Sequence, residues 1–339
     1  MTGVHDRPNR PRQAKLGRPG AGRALPLACL PLVLTMALPG SSLAQGVADA
    51  RVAPLEEGIV LFRGKRVYDR ACATCHGISG DGNGPSARYL DPRPRDFTSG
   101  IYKFRSTPTG QMPTTEDLND TVTSGIPRTF MPAWKDLLTE QERRDVVAYM
   151  KTFSARFERG AASVPIVIPA EPNVTPATIA EGKSMYILMQ CWACHGVRGR
   201  GDGPSADTLT DDWSYTIKAF DFTVGNFKGG NDNASVYKTF NTGLNGTPMP
   251  SFADTFRFGG DAIDDFSVYD GAYPAGEVAD LRRYLETQPT TADLEALSED
   301  QLDALASRRK WSLVHFVKSL SREPGLLYRL FVEDTEVTR

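Results

Sequence analysis

The sequence contains few cysteines, few histidines and no excess of positive charge. Only five of its 339 residues are cysteine and four are histidine. Lysine and arginine together number 39 against 41 for aspartate and glutamate, which gives a formal net charge of −2. Proteins that bind nucleic acid usually concentrate basic residues on one face or stripe. The charge balance therefore predicts that the chain has no nucleic-acid partner.

Long apolar segments are also lacking. The main apolar run, from Ala24 to Leu38, contains Pro26 and Pro31 and is too short to cross a bilayer comfortably. A basic stretch precedes this run, and Ser42-Leu43-Ala44 follows it with the small-x-small pattern of a cleavage site. We therefore expect a signal peptide at 1–44, cleaved after about Ala44, and a periplasmic protein with no integral membrane span. An uncleaved membrane anchor is the alternative.

Four of the five cysteines lie in two copies of one pentapeptide, Cys72-Ala73-Thr74-Cys75-His76 and Cys191-Trp192-Ala193-Cys194-His195. Two cysteines one helical turn apart can both reach the vinyl groups of one porphyrin, and the adjacent imidazole then falls on the iron. Cys-x-x-Cys-His is the attachment sequence for c-type haem, so the chain is predicted to carry two covalently attached haems. A thioredoxin-type redox pair and a zinc site shared by both motifs are the alternatives. A thioredoxin pair needs no histidine directly after its second cysteine, and a shared zinc site would leave both histidines without a role.

The sequence around the first motif is repeated, in the same order, around the second. CHGISGDGNGPSARYL in the first half matches CHGVRGRGDGPSADTL in the second, and the Arg-Asp-Phe-Thr stretch at 95–98 matches Phe-Asp-Phe-Thr at 220–223. Each half then reaches a Met-Pro pair. This repetition predicts two related domains, at 45–163 and 177–339, joined by an extended proline-rich linker at 164–176.

With a haem motif, a Gly-Pro loop, a Met-Pro pair and a closing helix in that order, each half resembles a class I (mitochondrial-like) cytochrome c domain. The resemblance covers about 55–160 and 177–322, and it implies an all-α fold in which each domain wraps around one haem. It also implies that a backbone carbonyl at Pro85, or at Pro204 in the second half, accepts a hydrogen bond from the proximal imidazole. Thr139 and Glu142 have the spacing of a capping box, which predicts the start of the first closing helix.

His76 and His195 are the expected proximal iron ligands, and the resemblance to cytochrome c favours methionine on the opposite side of each iron. Met131 follows His76 by 55 residues and Met249 follows His195 by 54, and each stands before a proline. A thioether is a soft ligand, and His/Met ligation raises the redox potential of the haem. Outside the leader only His315 remains, so histidine could complete at most one haem. His315 is expected to be structural or to lie on the surface.

Several other residues have less specific roles. Met112 stands 36 residues after His76 and has no counterpart in the second half, so it is expected in a loop or in the core. Arg93 and Arg95 are expected either to pair with a haem propionate or to be solvated. Three aromatic residues are expected to line a haem pocket or to belong to ordinary core: Tyr102, Trp134 and Trp213.

The second domain is predicted to contain an insertion. Met131 is 22 residues from Phe153, near the end of the first closing helix, whereas Met249 is 71 residues from Leu320. The difference places an insertion at about 254–306, with helices expected at 275–287 and 292–305. Its aspartates do not have the spacing of an EF-hand calcium loop. We expect the insertion to provide a partner-docking surface or a cover over the second haem.

Together the two halves resemble a tandem dihaem cytochrome c, and the function predicted is transfer of single electrons between respiratory redox partners. Because both axial positions of each iron would be filled, no catalytic residue and no enzyme activity are predicted. The expected partners are a quinol-oxidising complex, a molybdenum dehydrogenase or a terminal oxidase. Two alternatives remain. One is a dihaem enzyme, such as a peroxidase or a sulfur-compound dehydrogenase, and the other is a docked cytochrome subunit of an oxidoreductase or oxidase complex.

Overall fold

A computed structural model describes residues 42–159 and 163–321, with side chains from residue 55 onward. The predicted signal peptide lies almost wholly outside these residues. Within the described ranges the chain is helical and contains no strand, apart from isolated bridges between Thr210 and Thr216 and between Asp270 and Tyr273. The expected all-α fold is confirmed.

The helices of the first half begin where the sequence supplies a capping side chain. Thr114 accepts a hydrogen bond from the backbone of Asp117, which bonds back to the Thr114 amide, and Thr139 and Glu142 do the same. The capping box predicted at Thr139 is therefore confirmed. The helices of this half are α1 (Ser42–Ala71), α2 (Ala73–His76), α3 (Thr115–Ser124), α4 (Glu140–Lys151) and α5 (Arg156–Arg159), with a 3-10 turn at Ala87–Tyr89.

The second half repeats this order and adds helices between its third and last members. Thr175 caps its first helix, which has Pro176 at its first position. The helices are α6 (Pro176–Leu188), α7 (Trp192–His195), α8 (Asn233–Thr242), α9 (Ala275–Glu286), α10 (Thr291–Glu295) and α11 (Glu299–Ser319), with 3-10 turns at Ala206–Thr208, Phe222–Val224 and Ser267–Tyr269.

One of the two helices expected in the insertion is confirmed and the other is wrong. The helix expected at 275–287 is α9. The helix expected at 292–305 does not exist as one element, because α10 ends at Glu295 and Ser298 caps a new helix through a capping box with Gln301. That new helix, α11, continues without a break into the closing helix of the second half.

Each half has its own buried hydrophobic cluster. The cluster of the first half is built from α1, α3 and α4 and the loops between them. The cluster of the second half combines α6, α8 and α11 with residues of the insertion, which therefore forms part of the core. The buried insertion residues are Phe256, Phe266, Tyr269, Tyr273, Leu281 and Leu285.

Two glycines let the first and last helices of each half cross in direct backbone contact. Gly64 of α1 lies against α4, where an added Cβ would be 2.7 Å from the carbonyl carbon of Asp145. Gly182 of α6 lies against α11, where the corresponding distance to the carbonyl carbon of Ser312 would be 2.5 Å. Since α1 and α6 lead into the two haem motifs, these crossings fix where each motif starts. The signal in the sequence is Gly-Lys-x-x-Tyr, at 64–68 and again at 182–186.

The described part of the segment between the halves, 163–175, contains no helix. It is held at both ends, because the amide of Ile166 donates to the Ser106 carbonyl oxygen at 2.7 Å and Glu171 contacts His315 of α11. None of the helices in the described ranges has the length and apolar content needed to cross a membrane.

Candidate haem sites

Each Cys-x-x-Cys-His pentapeptide forms a single helical turn. The amide of His76 donates to the Cys72 carbonyl oxygen at 2.9 Å, and the amide of His195 donates to that of Cys191 at 2.9 Å. This turn carries both cysteines and the histidine of each motif. All four cysteines are free and partly buried. The arrangement expected for covalent haem attachment is therefore present in both halves.

A backbone carbonyl holds each proximal imidazole in one tautomer. Nδ1 of His76 lies 3.0 Å from the Arg95 carbonyl oxygen, and Nδ1 of His195 lies 3.0 Å from that of Phe220. A carbonyl oxygen can only accept, so Nδ1 carries the proton and Nε2 keeps a lone pair. Burial lowers the pKa of both imidazoles, which favours the neutral form that a metal needs.

The carbonyl that accepts from the imidazole is not the one expected from the resemblance. Pro85 and Pro204 were predicted in that role, whereas the structure gives it to Arg95 and Phe220. The reason is that the backbone before the Asp-Phe-Thr stretch passes directly beside the imidazole. There the amide of Phe97 donates to the Gly80 carbonyl oxygen at 2.7 Å, which fixes this segment against the glycine-rich loop.

Aromatic residues enclose both imidazoles in the same way. The ring of His76 stacks on Phe97 with centroids 4.4 Å apart, and His195 stacks on Phe222 at 4.3 Å. A buried tyrosine hydroxyl then bonds the glycine carbonyl that follows each histidine, from Tyr68 at 2.8 Å and from Tyr186 at 2.7 Å. The equality of these contacts shows that the repeat seen in the sequence extends to the geometry around each histidine.

The surroundings of the cysteines favour haem over zinc. Desolvation raises the pKa of Cys72 and of Cys191 to about 12, so both would be neutral thiols. Zinc needs thiolates, whereas the thioether formed on attachment to a porphyrin carries no charge. In addition, no cluster of three or more histidine, cysteine, aspartate or glutamate residues occurs in the described ranges, so the two motifs do not share one zinc site.

The two Met-Pro pairs lie in loops with the same backbone bonds. The amide of Ile126 donates to the Met131 carbonyl oxygen at 3.0 Å, and the amide of Leu244 donates to that of Met249 at 3.1 Å. In each loop the methionine amide also donates to a threonine hydroxyl, at 3.1 Å in the first and 3.3 Å in the second. Both methionines are partly buried. Ligation of iron by these methionines stays a prediction.

The structure also places the histidine and the methionine that were set aside as ligands. His315 is buried, with Nδ1 3.0 Å from the Thr178 hydroxyl and Nε2 3.2 Å from the Glu171 carboxylate. It is a structural residue that ties α11 to α6 and to the segment before it. Met112 is buried in the first core, as expected for a packing role.

Several buried donors lack partners where a haem would supply acceptors. In the first half these are the hydroxyl of Tyr102 and Nε1 of Trp134, and in the second half Nε1 of Trp192 and the hydroxyl of Tyr273, all without a hydrogen-bond partner among the described residues. Buried donors are normally satisfied, and haem propionates are acceptors. The residues present in both halves therefore fit a haem. Pairing of Arg93 or Arg95 with a propionate stays a prediction.

Comparison with known proteins agrees with this geometry. Residues 61–150 match the family model described as cytochrome c oxidase, cbb3-type, subunit III, and residues 179–307 match the model for cytochrome c. Among solved structures, a chain of the Kuenenia stuttgartiensis reducing HAO-like protein complex is 40% identical and superposes with a TM-score of 0.60. The match covers 77% of this chain and 96% of that one. The chain therefore belongs to the c-type cytochromes, as a tandem of two cytochrome c domains that carry two covalently bound haems and act in electron transfer.

Proposed function

We propose that this cytochrome is a periplasmic carrier of single electrons whose haems both have His/Met ligation. The observation that carries the proposal is the equal construction of the two methionine loops, around Met131 and Met249. A dihaem peroxidase or dehydrogenase needs one iron with an open or labile distal position. Such an enzyme would be expected to build its two loops differently. Equal loops favour two closed irons, and hence electron transfer without a substrate.

The contribution of the protein is to hold the axial ligands in place. Each haem, when bound, supplies an iron that takes up and releases one electron. On the proximal side, the Arg95 and Phe220 carbonyls hold His76 and His195 with Nε2 free to coordinate, and Phe97 and Phe222 limit rotation of the rings. On the distal side, the threonine-anchored loops hold the methionine backbone. Fixed ligands keep the coordination the same in both oxidation states.

We further propose that the chain works in a complex with an oxidoreductase. The similar Kuenenia stuttgartiensis chain belongs to a reducing HAO-like protein complex, which supports a docked subunit or a tightly bound carrier. A quinol-oxidising complex, a molybdenum dehydrogenase and a terminal oxidase remain candidate partners. Co-purification that survives high salt would support a stable subunit, whereas loss of the partner at moderate salt would support a transient carrier.

Ligation is tested by replacing each methionine separately. Met131→Ala and Met249→Ala should each convert one haem to the high-spin form and remove about half of the weak sulfur-to-iron band at the red end of the spectrum. Met112→Leu is the matched control, because Met112 is a buried core methionine, and it should leave both haems unchanged. High-spin haem in the wild-type protein together with rapid turnover of peroxide would instead support an enzyme.

Export is tested on the native protein. We expect the mature N-terminus at Gln45, measured by N-terminal sequencing of the protein from a periplasmic extract. A protein that keeps residues 1–44 and sediments with membranes would contradict the cleaved leader without affecting the assignment of the haems.

A further inference from the structure

Each half contains one segment that the other lacks. Gly84 and Phe97 are 13 positions apart, whereas the matching residues Gly203 and Phe222 are 19 apart. The next interval is longer in the first half, with 28 positions from Phe97 to Gly125 against 21 from Phe222 to Gly243. The extra residues lie near 211–215 in the second half and near 105–112 in the first. Both extra segments contact the opposite half.

The extra segment of the second half contacts arginines of the first through its aromatic rings. The guanidinium carbon of Arg95 lies 4.5 Å from the ring centroid of Trp213, and that of Arg93 lies 5.0 Å from the ring centroid of Tyr215. Both distances are within the range of cation–π contacts. Arg95 is also the residue whose carbonyl holds the imidazole of His76.

The extra segment of the first half reaches the end of α8 in the second half through Arg105. This side chain is 2% exposed. Its Nη2 donates to the Thr242 carbonyl oxygen at 2.5 Å and its Nη1 donates to the Gly243 carbonyl oxygen at 3.2 Å. Close by, the Thr109 hydroxyl donates to the side-chain oxygen of Asn245 at 2.9 Å. Arg105 thus caps the C-terminus of a helix that belongs to the other haem domain.

The capped end of α8 is in direct contact with the second methionine loop. A Cβ added to Gly243 would be 2.6 Å from the Ser251 amide nitrogen and 2.7 Å from the Pro250 carbonyl carbon. The next residue, Leu244, donates its amide to the Met249 carbonyl oxygen at 3.1 Å. Only a few bonds and one close contact therefore separate the Arg105 guanidinium from the backbone of Met249.

We propose that Arg105 of the first haem domain is a positioning residue for the methionine loop of the second haem. The proposal rests on the proposed ligation by Met249, and it makes the second haem depend on a side chain that lies outside its own domain. The corresponding loop of the first domain has no such support, since no side chain in the described ranges donates to the carbonyls of Ser124 or Gly125.

The chemistry of Arg105 suits this role. Its planar guanidinium bonds two successive carbonyls at once, which an ammonium group matches poorly. Desolvation lowers its pKa to about 10, so the group remains charged at neutral pH. A buried charge-assisted hydrogen bond is stronger than a neutral one, so its loss should free the end of α8 and the loop that follows it.

The test compares two arginines of the same chemistry. Arg105→Gln removes the cross-domain bonds. Arg156→Gln is the control, because Arg156 also donates to two backbone carbonyls, those of Gly100 and Gly110 at 2.8 and 2.9 Å, but within the first domain. Each dihaem protein is titrated with a redox mediator and followed optically, and ferric protein is titrated with imidazole, which competes with methionine for the iron. Met131→His and Met249→His assign the two titration steps to the two haems.

In Arg105→Gln we expect imidazole to bind the second haem about tenfold more tightly, since one charge-assisted hydrogen bond is lost. The potential of that haem should fall, while the first haem stays unchanged. In Arg156→Gln the second haem should be unaffected. If Arg105→Gln yields no dihaem protein, Arg105→Lys is measured and should shift the second haem in the same direction by less.

The proposal would be overturned if Arg105→Gln left the second haem as in the wild type, or if Arg156→Gln shifted the second haem equally. These results differ from a failure of the proposed function. In that case Met249→His would move neither the potential nor the sulfur-to-iron band, and no conclusion about Arg105 would be needed to reject methionine ligation.

Discussion

Replacing Gly182 with alanine should weaken the second domain although alanine is the better helix former. In an open helix, Gly→Ala stabilises by about 1 kcal/mol. At Gly182 the added methyl group would overlap the Ser312 carbonyl and would lie 2.7 Å from Cβ of Phe316. The overlapped atoms belong to the backbone of α11 and the base of a side chain, so no rotamer change can relieve the clash.

The size of the effect follows from the competition between these two terms. Helices α6 and α11 must separate, and overpacking of this kind costs about 3 kcal/mol. Subtracting the helix-propensity gain leaves a net loss of about 2 kcal/mol of folding free energy. For a domain of about 150 residues this corresponds to a decrease in Tm of roughly 4–8 °C. Gly64→Ala should act in the same direction on the first domain.

The assay is thermal unfolding of the dihaem protein, followed by far-ultraviolet circular dichroism. Gly276→Ala and Gly58→Ala are matched controls, because both residues lie in helices and an added Cβ would meet nothing within 4 Å. Both controls should be neutral or slightly stabilising. If Gly182→Ala proved as stable as Gly276→Ala, the direct crossing of α6 and α11 would be refuted, and with it the stated position of the second haem motif.

Two further outcomes follow from single side chains. Hydrogen bonds, first from the backbone of Thr139 and then from Arg70, hold the pKa of Glu142 at about 2, below its ordinary 4.5; its stabilisation is therefore present above pH 4.5 and lost as the pH falls toward 2. Acidification from about pH 5 to 3 should lower the Tm of Glu142→Gln less than that of the wild type, and Glu140→Gln, at an exposed neighbouring position, should behave as the wild type. Tyr186→Phe removes the 2.7 Å bond to Gly196 and should cost about 1 kcal/mol in denaturant unfolding; an unchanged midpoint would contradict that bond.

The sequence was sufficient for those features that depend on local order along the chain. Both haem motifs, the repeated halves and the capping box at Thr139 can be identified from residue types at fixed spacing, and the comparisons or the structure confirm them. Helix α9 also follows from local periodicity. Each of these features is set within one or two helical turns.

The features that the sequence analysis missed depend on contacts between distant segments. The imidazole bonds to Arg95 instead of Pro85 because a segment 19 residues after His76 folds back beside the ring. The expected helix at 292–305 is wrong because a capping serine, Ser298, restarts the helix inside that range. The contact of Arg105 with α8 joins residues 137 and 138 positions apart. Comparison of interval lengths between the two halves could have indicated that contact.

The central claim is that two covalently held haems each have histidine on one side and methionine sulfur on the other. It is tested most directly by an optical redox titration of the purified native protein that includes the sulfur-to-iron band. The account predicts two one-electron steps, a band amplitude equal to two methionine-ligated haems, and haem that stays on the polypeptide after denaturation. A protein without bound haem, or with one iron that lacks its sulfur before any treatment, would contradict it.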